Sequence, residues 1–303
     1  MSIATDTQKE LAHLAPALKA PRSLAAAERL APIARESNWS HEQYLAAVLS
    51  QEVSSREASG SRLRIKAAGF DSVKTLEDFN YDFQPAAPRD VIAHLSTGSY
   101  LLEGRNIVLL GPPGTGKTHL ATALGVKACG QGHRVLSASA TNWVNRLTTS
   151  YRAGTLAKDL AKLRRYPLLI VDEVGYIPFE TEAANLFFQL VSSRYEHASL
   201  ILTSNLPFSG WGEVFGNHVV ASAMIDRIVH HAEVITLKGN SYRLKNTKTT
   251  LPSENKRTRQ NNHNNRGPHL IAGNGPLLSD RQQSWTTKTL DQKTGSRSPL
   301  QNT

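Results

Sequence analysis

The 303-residue chain predicts an α/β fold: a parallel, five-stranded sheet with flanking helices on both faces. Three observations predict it. Short apolar runs at 106–110, 134–137, 168–171, 200–203 and 234–237 read as strands, and about 25 to 35 residues, room for a helix, separate each from the next. Directly after the first run stands Gly111-Pro112-Pro113-Gly114-Thr115-Gly116-Lys117-Thr118, the spacing of a phosphate-binding loop. The third run ends in the acidic pair Asp172-Glu173. Both features lie at carboxyl ends of strands, where an open parallel sheet places its ligands.

Ahead of the sheet, residues 1–68 read as a small helical domain for contact with a partner or DNA. Ser40 with Gln43 three positions later makes a capping-box pattern, and Tyr44, Leu45, Val48 and Leu49 follow at helical spacing. An earlier helix begins at Ser23, with Leu24, Ala27, Leu30 and Ala31 on one side, and Pro16, Pro21 and Pro32 limit how far these segments run. Their apolar stripe suits either the domain's own core or a partner helix. Arg62, Arg64 and Lys66 form a short basic cluster that fits phosphate or simply an exposed helix face. Residues 69–104 read as a linker and lead-in, broken around 76–85 by turn-like polar and aromatic residues. The core that holds the strands, the loop and the acidic pair occupies 105–246. From residue 247 to 303 there are only nine apolar residues in 57, too few to offset the entropy of ordering, and this basic tail is predicted to be disordered.

Composition removes several classes of protein. A single cysteine, Cys129, cannot form an internal disulfide and reads as a small packing residue. No apolar run approaches the ~18 residues that span a bilayer, and the first ten residues lack a signal-peptide layout, so no membrane is expected and the cytoplasm is. The net charge of +10 is uneven: residues 1–104 carry 11 basic and 13 acidic side chains, 105–246 carry 15 and 9, and 247–303 carry 9 and 3. A polyanionic partner therefore belongs to the core or the tail. His230 and His231 are adjacent, so on a helix they would diverge, a poor arrangement for holding one metal. No nucleophile with a base and an orienting acid is apparent.

The chemistry lies in the loop. Its glycines let the backbone wind so that successive amides point at phosphate oxygens, and the following helix offers its positive end. Lys117 is placed to reach β- and γ-phosphates, and the Thr118 hydroxyl to coordinate Mg. Asp172 would hold that Mg, through water, and Glu173 would polarise the attacking water. The expected ligand is a nucleoside triphosphate, ATP with Mg.

With these motifs in place the sequence resembles an AAA+ P-loop ATPase. The runs 168–179 (LLIVDEVGYIPF), 203–208 (TSNLPF), 211–215 (WGEVF) and 224–231 (MIDRIVHH) resemble the IstB-like helper ATPases of insertion sequences, which share a core with DnaC-type helicase loaders. The likeness extends upstream through 39–57 and 75–79. It implies that Asn205 senses the γ-phosphate, against the plainer reading of a cap on the turn before Pro207. It implies that strand 200–203 lies between the loop strand and the acidic-pair strand. Arg227 matches the arginine inserted into a neighbouring subunit's site, against a surface arginine paired with Asp226 or Glu233; Arg243 is a second candidate. A C-terminal helical lid looks absent, the region 56–66 is less basic than the family leads one to expect, and the tail lies outside the pattern. The implied function is an ATP-dependent helper ATPase acting as a homo-oligomer on double-stranded DNA with the transposase of the same insertion sequence. A replicative helicase loader and a nucleotide-gated, non-hydrolysing adaptor remain alternatives.

Overall fold

The computed structural model describes residues 3–176 and 178–242, so the tail at 247–303 and Arg243 lie outside the described residues. The sheet is parallel throughout, in the order β2-β3-β4-β1-β5, with β1 Asn106–Leu110, β2 Val135–Ser139, β3 Leu168–Val174, β4 Ser199–Ser204 and β5 Ala232–Thr236. This is the expected fold class, and β4 does separate the loop strand from the acidic-pair strand. Strand ends follow backbone pairing rather than hydropathy. β5 begins two residues before its apolar run because Ala232 pairs with Asn106, and the register then holds to Leu110 and Thr236.

Both faces are covered. Side chains along a strand alternate between faces, and Val108 and Leu110 join Trp143, Phe187, Trp211 and Phe215 in one cluster. Ile107 and Leu109 join Leu120, Leu124, Tyr100 and Ile92 in the other. The first cluster is built by α7 (Ala140–Arg152), α8 (Leu156–Leu163), α9 (Thr181–Arg194), α10 (Trp211–Val214) and α11 (His218–Val229). The second is built by α4 (Arg89–Ser96), α5 (Ser99–Leu102) and α6 (Lys117–Gly130). Among the described residues no helix follows β5, and none is long and apolar enough to cross a membrane.

The N-terminal helices are α1 (Ile3–Ala17), α2 (Pro21–Glu36) and α3 (His41–Ala68). The prolines limit them less than the sequence suggests. Pro21 sits in the first turn, where its missing N–H is no loss. Pro32 lies inside α2, and the carbonyl it leaves without an intrahelical partner, that of Glu28, is on an exposed stretch where water can take it. The capping box of α3 is present, with Gln43 N donating to Ser40 Oγ at 3.3 Å and Ser40 N to Gln43 Oε1 at 2.8 Å.

Glu52 of α3 completes α2 from a distance. Ala20, the cap residue of α2, offers no side chain, and the buried Glu52 carboxylate accepts from Arg22 N at 2.9 Å and Ser23 N at 3.1 Å, while Arg56 Nε donates to it at 2.7 Å. Desolvation works to raise its pKa but is outweighed by Arg56 and the two amides, which hold it below the ordinary value. At its other end α3 joins the core: Ala68 is fully buried, Ile65 packs against the same cluster, and Arg64 Nε donates to Cys129 O at 2.7 Å. Cys129 is buried, which pushes its thiol up to about 11.

Candidate nucleotide site

The phosphate loop leaves β1 at Leu110 and enters α6 at Lys117. Three of its glycines have positive φ, +143° at Gly111, +78° at Gly114 and +96° at Gly116. Each is also pressed by a neighbour. A β-carbon on Gly111 would stand 2.2 Å from the Leu237 carbonyl oxygen, and one on Gly116 2.7 Å from the Phe79 ring. Side chains are therefore excluded both by backbone conformation and by space. Thr115 Oγ1 donates to Pro112 O at 2.8 Å and stiffens the loop, and the ammonium of Lys117 donates to the carbonyls of Gly111 and Pro112 at 2.7 and 2.8 Å.

Across from the loop, β3 carries a bulge. Val171 pairs with Leu202 and Val174 with Ser204, so Asp172 and Glu173 together oppose Thr203. Glu173 takes up the irregularity with φ +61°, a conformation that only the surrounding structure can impose on a non-glycine residue. A bulge re-aims side chains that strict alternation would send to opposite faces. The Thr118 hydroxyl donates to Asp172 Oδ1 at 3.1 Å, the Thr203 hydroxyl bonds the same oxygen, and the Glu173 amide donates to Thr203 Oγ1 at 2.9 Å. Loop, acidic pair and β4 are thus joined in one network.

The sequence named Gly111 to Thr118, Asp172 and Glu173, and the structure brings them together. Asn205 follows directly on β4, and its buried Oδ1 has no partner among the described residues. The turn ahead of Pro207 is tied by Leu206 N donating to Ser204 Oγ at 3.1 Å. Arg227 stands apart on α11, with its guanidinium 4.5 Å over the Phe188 ring of α9. Among the described residues it makes no ion pair; Glu233 faces Arg105 instead, at 3.9 Å.

Sequence reasoning missed the wall of the site. The stretch taken as a linker packs on the loop: Phe79 lies under Gly116, Gln84 Nε2 donates to Thr115 O at 3.1 Å, and His119 Nε2 meets Thr75 O at 2.8 Å. From the other side Tyr242 N donates to Gly114 O at 2.9 Å, and Tyr242 stands edge-on to Phe83 at 5.0 Å. The aromatic residues Phe79, Tyr81 and Phe83 at alternate positions were the available signal. Thr203 was also missed, although it ends the apolar run of the strand beside the acidic pair.

The donor set fits magnesium. A threonine hydroxyl and a carboxylate, both hard oxygen donors, converge beside a glycine cradle that any β-carbon would fill.

Comparison with known proteins gives the family. Residues 13–250 match the family model described as IstB-like ATP binding protein. An insertion sequence IS21 putative ATP-binding protein of Pseudomonas aeruginosa is 43% identical over 232 residues, covering 74% of this chain and 88% of the relative. An IS5376 putative ATP-binding protein of Geobacillus stearothermophilus is 38% identical over 216 residues, covering 71% and 86%. Among solved structures, a DnaC helicase loader aligns with 21% identity and a TM-score of 0.44 over 58% of this chain and 99% of that one. With residues 13–250 matched and a relative 43% identical over the greater part of its length, the chain belongs to the family of IstB-like ATP-binding proteins.

Proposed function

We propose that the protein binds ATP with magnesium at Gly111 to Thr118, hydrolyses it where copies of the chain meet, and uses that cycle to control its assembly on double-stranded DNA. In this reading it serves the transposase of its insertion sequence in the cytoplasm. The observation that carries the hydrolytic reading is the bond between Thr118 and Asp172 at 3.1 Å, with Glu173 held beside it through Thr203.

Each residue has a distinct task. The loop amides and the α6 terminus bind the phosphates, and Lys117 exchanges the carbonyls of Gly111 and Pro112 for phosphate oxygens. Thr118 and Asp172 would hold the magnesium, which when bound draws charge from the phosphate oxygens. Glu173 is exposed, and among the described residues its carboxylate makes no hydrogen bond or ion pair, so it is available to orient water. Asn205 brings a side-chain amide whose oxygen has no partner among the described residues. Arg227 would complete a neighbouring copy's site.

Charge supports the DNA reading. Residues 134–165 hold seven basic side chains and one acidic, whereas the rest of 105–246 balances eight against eight. The one acid, Asp159, is engaged by Arg146 through bonds of 2.8 and 2.6 Å. That leaves Arg134, Arg152, Lys158, Lys162, Arg164 and Arg165 exposed just ahead of β2, on α7 and α8, and in the turn that follows. Such a face suits phosphate contacts that carry no sequence preference.

Phosphate release and DNA mobility shifts test the proposal together. Lys117→Ala should abolish nucleotide binding, and Glu173→Gln should retain it while blocking turnover. DNA binding should require ATP, and Lys158→Ala with Arg164→Ala should reduce the salt slope by about 2. Full hydrolysis by Glu173→Gln would remove its assignment, and DNA binding indifferent to ATP would remove the coupling.

A further inference from the structure

The turn after α9 and the turn after α11 meet at the amino-terminal edge of the sheet, the end opposite the phosphate loop. Their side chains do what the sequence argued against. α11 ends at Val229 with His230 as its cap, so His231 leaves the helical path on which adjacent side chains diverge. His230 and His231 lie beyond that end with ring centroids 4.2 Å apart, and His231 Nε2 is 3.9 Å from Glu196 Oε1. One donor atom from each of Glu196, His230 and His231 lies within 4.8 Å of the other two.

We propose that Glu196, His230 and His231 form a surface site for one divalent transition-metal ion of the zinc class. Donors bound at ~2.1 Å to a tetrahedral zinc stand about 3.4 Å apart, so closing from 4.8 Å asks only for small side-chain rotations. Two imidazoles with one carboxylate select zinc, nickel or copper over magnesium, which takes oxygen donors, and three protein ligands leave a position for water. The site is thus chemically distinct from the oxygen-donor site at Asp172.

Both turns are held before any ion arrives. Asn106 N donates to His231 O at 2.7 Å and Asn106 Nδ2 to Ile228 O at 3.0 Å, fixing the histidine turn to β1. On the other side Arg194, 1% exposed, donates to the carbonyls of Leu163, Tyr166 and Ser199 at 3.0, 2.8 and 2.9 Å and anchors the α9 terminus. Glu196, two residues on, has φ +58°. The Tyr195 hydroxyl lies 2.8 Å from His230 Nδ1. The tautomer with the proton on Nδ1 lets His230 donate to the phenol oxygen. In that tautomer the His230 Nε2 lone pair is left for the metal, and Tyr195 acts as a positioning residue.

The test uses untagged, full-length protein stripped with chelator and free of nucleotide, titrated with zinc by calorimetry and with cobalt by visible absorption. One equivalent should bind, with cobalt giving the absorption of a four- or five-coordinate ion. His231→Ala and Glu196→Gln should each weaken zinc binding more than about 10-fold, and Tyr195→Phe by roughly 10-fold, with far-ultraviolet circular dichroism unchanged. Asp172→Asn should leave stoichiometry and affinity as they are. No zinc binding by the wild type at micromolar concentrations, equal binding in His231→Ala and Glu196→Gln, or loss of binding in Asp172→Asn would each overturn the proposal.

Discussion

The hydroxyl of Thr203 bonds directly to the carboxylate of Asp172. Through the same oxygen atom it accepts the Glu173 amide at 2.9 Å, so one side chain on β4 positions both members of the acidic pair on β3. Thr203→Val keeps the shape and deletes both bonds. A buried amide left without an acceptor costs about 1–3 kcal/mol, so the thermal midpoint should fall by a few degrees. Misplacing catalytic groups by about an ångström costs ~10²-fold in rate, and ATP turnover should drop by that order while nucleotide affinity is nearly retained. Steady-state phosphate release beside a fluorescent-nucleotide titration separates the two, and unchanged turnover would refute the linkage.

Gly116 is confined by its own φ of +96° and by the Phe79 ring. Gly116→Ala should abolish nucleotide binding. Adding Phe79→Leu relieves the steric contact and leaves the backbone conflict, so the double variant should recover stability without recovering nucleotide. Calorimetric titration and a thermal melt on both variants check this, and full rescue of binding by Phe79→Leu would mean that packing alone excludes the methyl group.

Arg227 lies over Phe188 and makes no ion pair among the described residues. If it serves a neighbouring copy, Arg227→Ala should bind ATP normally and hydrolyse it ~10³-fold more slowly or worse. Mixing Arg227→Ala with Lys117→Ala should then restore measurable turnover, because some interfaces combine an intact loop with an intact arginine. Rates in the mixture no higher than the sum of the two inactive proteins would place Arg227 outside a shared site.

Glu52 gives a pH dependence with a definite sign. Its pKa is lowered in the folded protein, so the stabilisation it provides is fully present above the unfolded carboxylate value of ~4.3 and is lost as pH falls through the lowered folded value. Glu52→Gln should therefore unfold or be cleaved in α1 and α2 more readily at neutral pH. The difference from wild type should shrink in acid. Limited proteolysis and denaturant melts at several pH values measure this, and a gap that stays constant into acid would exclude the carboxylate as the cause.

Much of the fold was legible because its signals are local. Alternating strands and helices, the glycine pattern and Ser40 with Gln43 each depend on a few neighbouring residues. The phosphate loop and the pair Asp172-Glu173 were readable for the same reason. What was not legible depends on strand order or on distant chain. Thr203 matters only because β4 lies beside β3, and Phe79 and Gln84 only because the lead-in folds against the loop. The Glu52 cap joins residues separated by about thirty positions, which no periodicity reports. Pro32 misled because a proline's cost was counted without the solvent that satisfies the carbonyl it orphans.

Among the described residues, the 28-residue helix α3 meets the sheet-bearing core through its final turns, at Arg64, Ile65 and Ala68. At ~1.5 Å per residue, the stretch before those contacts extends about 30 Å and carries α1 and α2. It is a lever whose fulcrum rests on α6, the helix that starts at Lys117. A tilt of a few degrees at that fulcrum would move the far tip by ångströms, so the position of the N-terminal helices depends on a handful of contacts at one end of α3.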